Sequence, residues 1–188
     1  MQGKELIDLL RKRVSCGQLG APGTSQEQLD LIFEAAFRAA DHRNLKPWRF
    51  LVVEGDGLDK LGEAFLASQE AVAGPLSEDL RQRALALPRR APTIIIAAAH
   101  IQDDPKVPEI EQLLSTGAAV QNMLNAAHAL GLGAMWRTGE LAFNRHLAQT
   151  LGFADNEKIV AFLYLGTPKT VPAVPSPPPQ KNHVRRWP

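Results

Sequence analysis

Three short apolar runs, rich in β-branched and aromatic residues, constrain the fold of this chain most strongly. They are "WRFLVVEG" at 48–55, "TIIIAAAH" at 93–100 and "KIVAFLYLG" at 158–166. Runs of this length and composition, set off by proline or glycine, are typical of buried strands. Because segments with helical periodicity separate the runs, the sequence predicts a mixed α+β protein.

The segments between the strands have the residue spacing of helices. One helix is predicted from Thr24, where Glu27 stands three residues on as in a capping box. The segment 108–133 is apolar on nearly every face beyond Gln112, which predicts a buried central helix. A short strand at 134–136 follows it. Further helices are predicted at about 4–13, 58–72, 77–87 and 142–151.

Length and composition predict one folded domain and a tail. A chain of 188 residues suits a single domain over 1–168, and the proline-rich segment 169–188 is predicted to be an extended tail. The net charge of +1 argues against a nucleic-acid or anionic-membrane partner. The single cysteine, Cys16, and the absence of a signal peptide favour the cytoplasm, and no apolar run is long enough to span a membrane.

Several common site patterns are weak or missing. The glycine-rich turn after the first strand has Gly55 and Gly57, but Lys60 stands where a dinucleotide-binding turn has its third glycine. The five histidines do not have the spacing of metal ligands, so no metal site is predicted. Cys16 does not lie in a recognisable nucleophile motif either, and no catalytic side chain is predicted.

Three polar clusters are candidates for a binding site. Arg13 and Ser15 follow the first helix, where a guanidinium and a hydroxyl can bind a phosphate. The basic run before Ser15 is explained equally well as cations that stabilise the end of a helix. Arg38 and His42 are four residues apart and would share a face if the helix continued that far. The third cluster is Trp136, Arg137 and Thr138 at the end of a strand.

Four segments, in this order, resemble the nitroreductase superfamily and most closely its small YdjA-like branch, which uses FMN. They are "RKRVS", "RAADHRNLKPWRF" with "LVVEG", "LLSTGAAVQNMLNAAHALGLGAMWRTG" and "KIVAFLYLGTP". The resemblance implies an α+β three-layer fold with an antiparallel-dominated central sheet flanked by helices. It also implies an intertwined homodimer with FMN at the interface.

The resemblance implies a set of cofactor-binding residues. Arg13 and Ser15 would hold the FMN phosphate and ribityl chain, and the strand-end cluster would line the flavin. Val14 stands where the family often has a second arginine, so Arg11 or Lys12 would contact the phosphate in its place. The polar segment "RAADHRNLKPWRF" differs from the commoner family pattern at two places, Asp41 or His42 and Lys46. These differences support the YdjA-like branch. The implied set is Arg13, Val14, Ser15, Trp136, Arg137 and Thr138 in one subunit, with Arg38 and His42 from the neighbour.

The resemblance also implies an activity. The chain is expected to be an NAD(P)H-dependent FMN oxidoreductase that reduces a nitroaromatic, a quinone or a related small acceptor in a ping-pong cycle. Two alternatives stay open: a flavin-binding protein without efficient NAD(P)H turnover, and a family member with a specialised reduction such as dehalogenation. The tail, which carries Trp187, is interpreted as an arm that packs against the dimer or the pocket mouth.

Overall fold

The computed structural model describes residues 3–187, which form a five-stranded sheet and six α-helices. The strands are β1 (Leu19–Gly20), β2 (Trp48–Glu54), β3 (Thr93–His100), β4 (Gly133–Arg137) and β5 (Glu157–Pro168). The helices are α1 (Gly3–Lys12), α2 (Gln26–Ala36), α3 (Gly57–Ala73), α4 (Glu78–Ala86), α5 (Glu109–Ala129) and α6 (Arg145–Thr150).

Every strand pair in the described sheet is antiparallel. The central strand β3 pairs with β2 on one side and with β5 on the other. β5 also pairs with β4, so that Leu165 lies opposite Thr93 of β3 and opposite Ala134 of β4. The two-residue strand β1, which the sequence did not predict, pairs with the last residues of β5. The prediction of an antiparallel-dominated sheet is confirmed.

Side chains that alternate along β3 divide the core into two halves. Ile94 and Ile96 pack on the side of α3 and α6, whereas Ile95 packs on the side of α2 and α5. All three are fully buried, as expected for a strand covered on both faces. The sheet is therefore the middle of three layers, as the resemblance implied.

The N-terminus of α2 corrects the predicted capping box. Ser25, not Thr24, is the N-cap: its hydroxyl accepts from the Gln28 backbone N–H, and the Gln28 side chain accepts from the Ser25 N–H. The backbone N–H of Thr24 donates instead to the Thr93 hydroxyl at 3.2 Å. Thr24 is thus held to β3 as part of the loop, and the helix begins one residue later.

The prediction that α5 is a buried central helix is confirmed for its inner face and wrong for its outer face within one chain. Its inner face packs on the sheet through residues such as Val120 and Met123, which are fully buried. On its outer face, Ile110 is 58% exposed and Leu114 is 65% exposed. Within one chain, α2 and the sheet cover only part of this helix, and its first two turns keep an uncovered apolar stripe.

The C-terminal segment runs along the surface after β5. Its first residues are tied to the loop after α1, because the Lys169 backbone N–H donates to Gln18 and the Cys16 thiol lies 3.6 Å from the Thr170 carbonyl. Beyond this point the described residues contain only a short 3₁₀ turn, Gln180–Asn182, and Trp187 is 96% exposed. None of the described helices combines the length and the apolar character needed to cross a membrane.

Candidate functional site

The loop after α1 is fixed against strand β4. The Cys16 backbone N–H donates to the Ala134 carbonyl at 2.8 Å. One residue further, a Cβ atom on Gly17 would stand 3.2 Å from the Met135 side chain and 3.7 Å from Nη2 of Arg137. The loop therefore lies close to the strand end. The segment that follows Arg13 and the Trp136 cluster, distant in sequence, are thereby brought to one region.

Arg13 carries an unsatisfied donor in this region. Its Nη1 atom is buried and has no hydrogen-bond partner among residues 3–187. A buried neutral donor that has no acceptor lowers the stability of the fold by about 1–3 kcal/mol, and a charged donor lowers it by more. Ser15, two residues on, is exposed. A buried guanidinium nitrogen without an acceptor, with a serine two residues further along the loop, suits an anionic ligand such as a phosphate.

The neighbouring basic residues differ from Arg13. Arg11 lies 3.6 Å from Asp8, and both side chains are at least 60% exposed. Lys12 is exposed, and Val14 is half-buried. Among these basic residues, therefore, Arg13 is the one that has a buried hydrogen-bond donor without an acceptor.

The end of β4 opens onto a cleft of about 450 Å³ that Trp136, Arg137 and Thr138 line. The Trp136 indole N–H donates to the Val160 carbonyl at 3.2 Å, which fixes the ring on the side of the sheet that α5 covers. Arg137 extends to the other side, where its guanidinium lies over the Tyr164 ring, 5.7 Å from the centroid. Thr138 is exposed at the cleft rim.

Two residues of this cleft, Tyr164 and Arg90, were not predicted from the sequence. Burial raises the pKa of Tyr164 above its ordinary value, although Arg137 and Arg90 both act to lower it. Arg90 ends the 3₁₀ turn Pro88–Arg90 just before β3. The alternation of residues along β5 puts Tyr164 on the same face as Phe162, so the sequence pattern could have predicted the position of Tyr164. Nothing in the sequence indicated that Arg90 lies near Arg137.

Arg38 and His42 lie in a different place from the Arg13 loop. The condition under which they would share a helix face is not met, because α2 ends at Ala36. In the last turn of α2, the Ala35 carbonyl accepts a hydrogen bond from the side-chain amide of Asn122 of α5, at 3.1 Å. Arg38 is exposed beside a hollow that Asp41, Lys46 and Trp48 also line. His42 contacts Glu111 of α5, with Nδ1 2.6 Å from Oε2.

The seam between α2 and β2 has a strained backbone. Arg43, Asn44 and Lys46 all have positive φ angles, of 62°, 57° and 51°. Such conformations are uncommon outside glycine and cost of the order of 1 kcal/mol or more each. The Lys46 backbone N–H donates to the Asp41 carboxylate at 2.7 Å, which helps to hold the turn. Strain of this kind is often kept where a loop must present side chains to a ligand or partner.

Comparisons with known proteins identify the family to which the chain is similar. The nitroreductase family model matches residues 10–167. The chain is 38% identical to the protein named "Putative NAD(P)H nitroreductase YdjA" of Escherichia coli K12 over 179 residues, which are 93% of this chain and 97% of that protein.

Solved structures show the same fold. A nitroreductase-like family protein from Bacillus cereus superposes with a TM-score of 0.81 at 23% identity, over 97% of this chain and 95% of the other. A structure from Desulfovibrio desulfuricans, described as a putative nitroreductase in complex with FMN, gives 0.75 at 26% identity, over 97% and 98%.

Proposed function

The chain belongs to the nitroreductase family, and we propose that it is a cytoplasmic FMN-dependent oxidoreductase that transfers electrons from NADH or NADPH to a small acceptor such as a nitroaromatic or a quinone. The observation that carries the proposal is the buried Nη1 atom of Arg13, which has no acceptor among the described residues. The Desulfovibrio structure, which has a similar fold, is a complex with FMN. The phosphate of FMN is a hydrogen-bond acceptor of the kind that the Nη1 atom of Arg13 lacks.

The chain's own residues would bind and orient the cofactor. Arg13 would donate to the phosphate through Nη1, and the Ser15 hydroxyl would complete the contact. Trp136, held on the α5 side of the sheet by its bond to Val160, would fix the strand end, with Arg137 in the cleft and Thr138 at its rim. When bound, FMN would supply reversible two-electron chemistry, accepting a hydride from NAD(P)H and reducing the acceptor in a separate half-reaction.

The single chain leaves an apolar surface that suits a second copy. Ile110 and Leu114 are one helical turn apart on α5 and largely exposed. His42, one position from Arg43 in the strained seam, contacts Glu111 on the same turn of α5. We place the homodimer interface at this surface, so that Arg38 and His42 of one copy reach the cofactor of the other. The separation of these two residues from the Arg13 loop within one chain fits such an exchange.

A visible absorbance spectrum of the purified protein tests the proposal directly. We expect a flavin spectrum that bleaches when NADPH or NADH is added without oxygen and returns when a nitroaromatic or quinone is supplied. A flavin that stays oxidised with both nucleotides would instead make the chain a flavin carrier. A colourless protein that FMN does not reconstitute would contradict the proposed cofactor.

A further inference from the structure

Two adjacent, exposed arginines before β3 differ in their ion pairing. Arg89 forms a two-pronged ion pair with Asp59, with distances of 2.7 Å from Nε to Oδ1 and 2.6 Å from Nη2 to Oδ2. Arg90, the next residue, has no carboxylate partner among residues 3–187 and lines the cleft at the end of β4. One guanidinium is thus neutralised within the chain, and the other is left available.

The cleft that Arg90 lines has an excess of positive charge. Arg137 enters it from β4, over the Tyr164 ring. Glu140, at its exposed rim, is the one acidic side chain among the described residues that line the cleft. Two guanidinium groups therefore share the space with one solvated carboxylate. The remaining wall is largely apolar, with Phe65 and Phe162 among the lining residues, and apolar walls strengthen the attraction of cations for an anion.

Three polar groups of the cleft, those of Arg90, Arg137 and Tyr164, are suited to donate. Guanidinium groups carry several N–H donors in a planar fork that matches the oxygens of a phosphate. The Tyr164 hydroxyl is protonated at neutral pH, because the ordinary pKa of tyrosine is about 10 and burial raises it further, and it is a third donor. Gly17 lies close to Arg137, so the Arg137 guanidinium stands next to the loop that carries Ser15. The cleft thus adjoins the loop that follows Arg13, and neither Arg13 nor Ser15 lines it.

We propose that Arg90, together with Arg137 and the Tyr164 hydroxyl, forms a second phosphate-binding position, separate from Arg13 and Ser15. The identity of the phosphate rests on the proposed function, which supplies two sources. One is the phosphate of FMN, which would then be bound from both sides. The other is the ribose 2′-phosphate that distinguishes NADPH from NADH, in which case Arg90 selects the nucleotide.

The test compares Arg90→Gln with Arg89→Gln in the full-length protein. Both variants remove one charge from the same turn, but only the first removes a donor from the cleft. FMN and riboflavin are titrated into flavin-free protein, and KM is measured for NADPH and NADH. A rise of about tenfold or more in the FMN dissociation constant, with riboflavin unchanged, assigns the FMN phosphate. A similar rise in KM for NADPH alone assigns the 2′-phosphate.

Inorganic phosphate provides a readout that needs neither flavin nor nucleotide. It should raise the unfolding temperature of the wild type and of Arg89→Gln more than that of Arg90→Gln, with Arg90→Lys intermediate. The phosphate measurement can support the second phosphate-binding position even if the chain does not bind FMN. The failure of this position and the failure of the proposed function are therefore distinguishable. If Arg90→Gln and Arg89→Gln behave alike with phosphate, FMN and NADPH, the second position does not exist.

Discussion

The guanidinium of Arg137 lies over the ring of Tyr164, with its Cζ atom 5.7 Å from the ring centroid. Burial raises the pKa of the Tyr164 hydroxyl, and the two nearby arginines oppose that effect without cancelling it. The contact joins β4 to β5 at the cleft that Trp136, Arg137 and Thr138 line. Because Tyr164 is the only tyrosine of the chain, its ionisation can be observed without interference from others.

The first prediction concerns that ionisation. Ultraviolet absorbance should show tyrosinate forming with a midpoint above the ordinary value of about 10. Arg137→Met should move the midpoint higher, because it removes a cation that favours the charged form. The same titration in denaturant gives the reference for the unfolded chain. A native midpoint equal to this reference would show that burial does not control the hydroxyl.

A second prediction follows for stability at alkaline pH. A group whose pKa is higher in the folded state holds its proton more tightly there, so its contribution is complete below the unfolded pKa of about 10. That contribution is lost as the pH rises through the folded pKa. The free energy of unfolding, measured with urea at stepped pH, should therefore fall less steeply for Tyr164→Phe than for the wild type in this range. Identical slopes would contradict the raised pKa.

The third prediction tests the phosphate contact of the proposed cofactor site. Arg13→Ala should weaken FMN binding by about tenfold or more, because it removes a charged donor that has no other acceptor. Arg11→Ala is the matched control, since that side chain is exposed and paired with Asp8. Cys16→Ala should also retain FMN far better. Flavin content per chain after purification is the measurement, and equal contents in Arg13→Ala and Arg11→Ala would refute the assignment.

The strands and layers could be predicted because each depends on a local pattern. The "TIIIAAAH" run contains the core of β3, and its alternating residues fill both layers. The start of α2 was misplaced because "TSQEQ" offers two capping boxes one residue apart, and the bond from Thr24 to Thr93 chooses between them. Arg90 was missed for a related reason: its neighbours in the cleft come from β4 and β5. Contacts across 40 or more residues leave no local signal.

The N-cap of α2 gives a fourth prediction. Ser25→Ala should lower the free energy of unfolding by about 1 kcal/mol, because it removes the acceptor for the Gln28 N–H. Thr24→Ala should cost less, because the buried Thr24 hydroxyl has no hydrogen-bond partner in the described part of the chain. Urea unfolding of the two variants measures the difference. The reverse order would restore the capping box at Thr24 and Glu27.

The last prediction concerns the outer face of α5. Leu114 is 65% exposed and lies one turn from the exposed Ile110, so a second copy that covered this stripe would bury both side chains. Leu114→Glu would place a charge in that contact, and we expect it to convert the protein from dimer to monomer in light scattering. If Arg38 and His42 reach the partner's cofactor, the monomer should also lose FMN.

Val72→Glu is the control, because Val72 is 79% exposed on α3, across the sheet from α5. A dimer that survives Leu114→Glu but not Val72→Glu would move the interface to the α3 side.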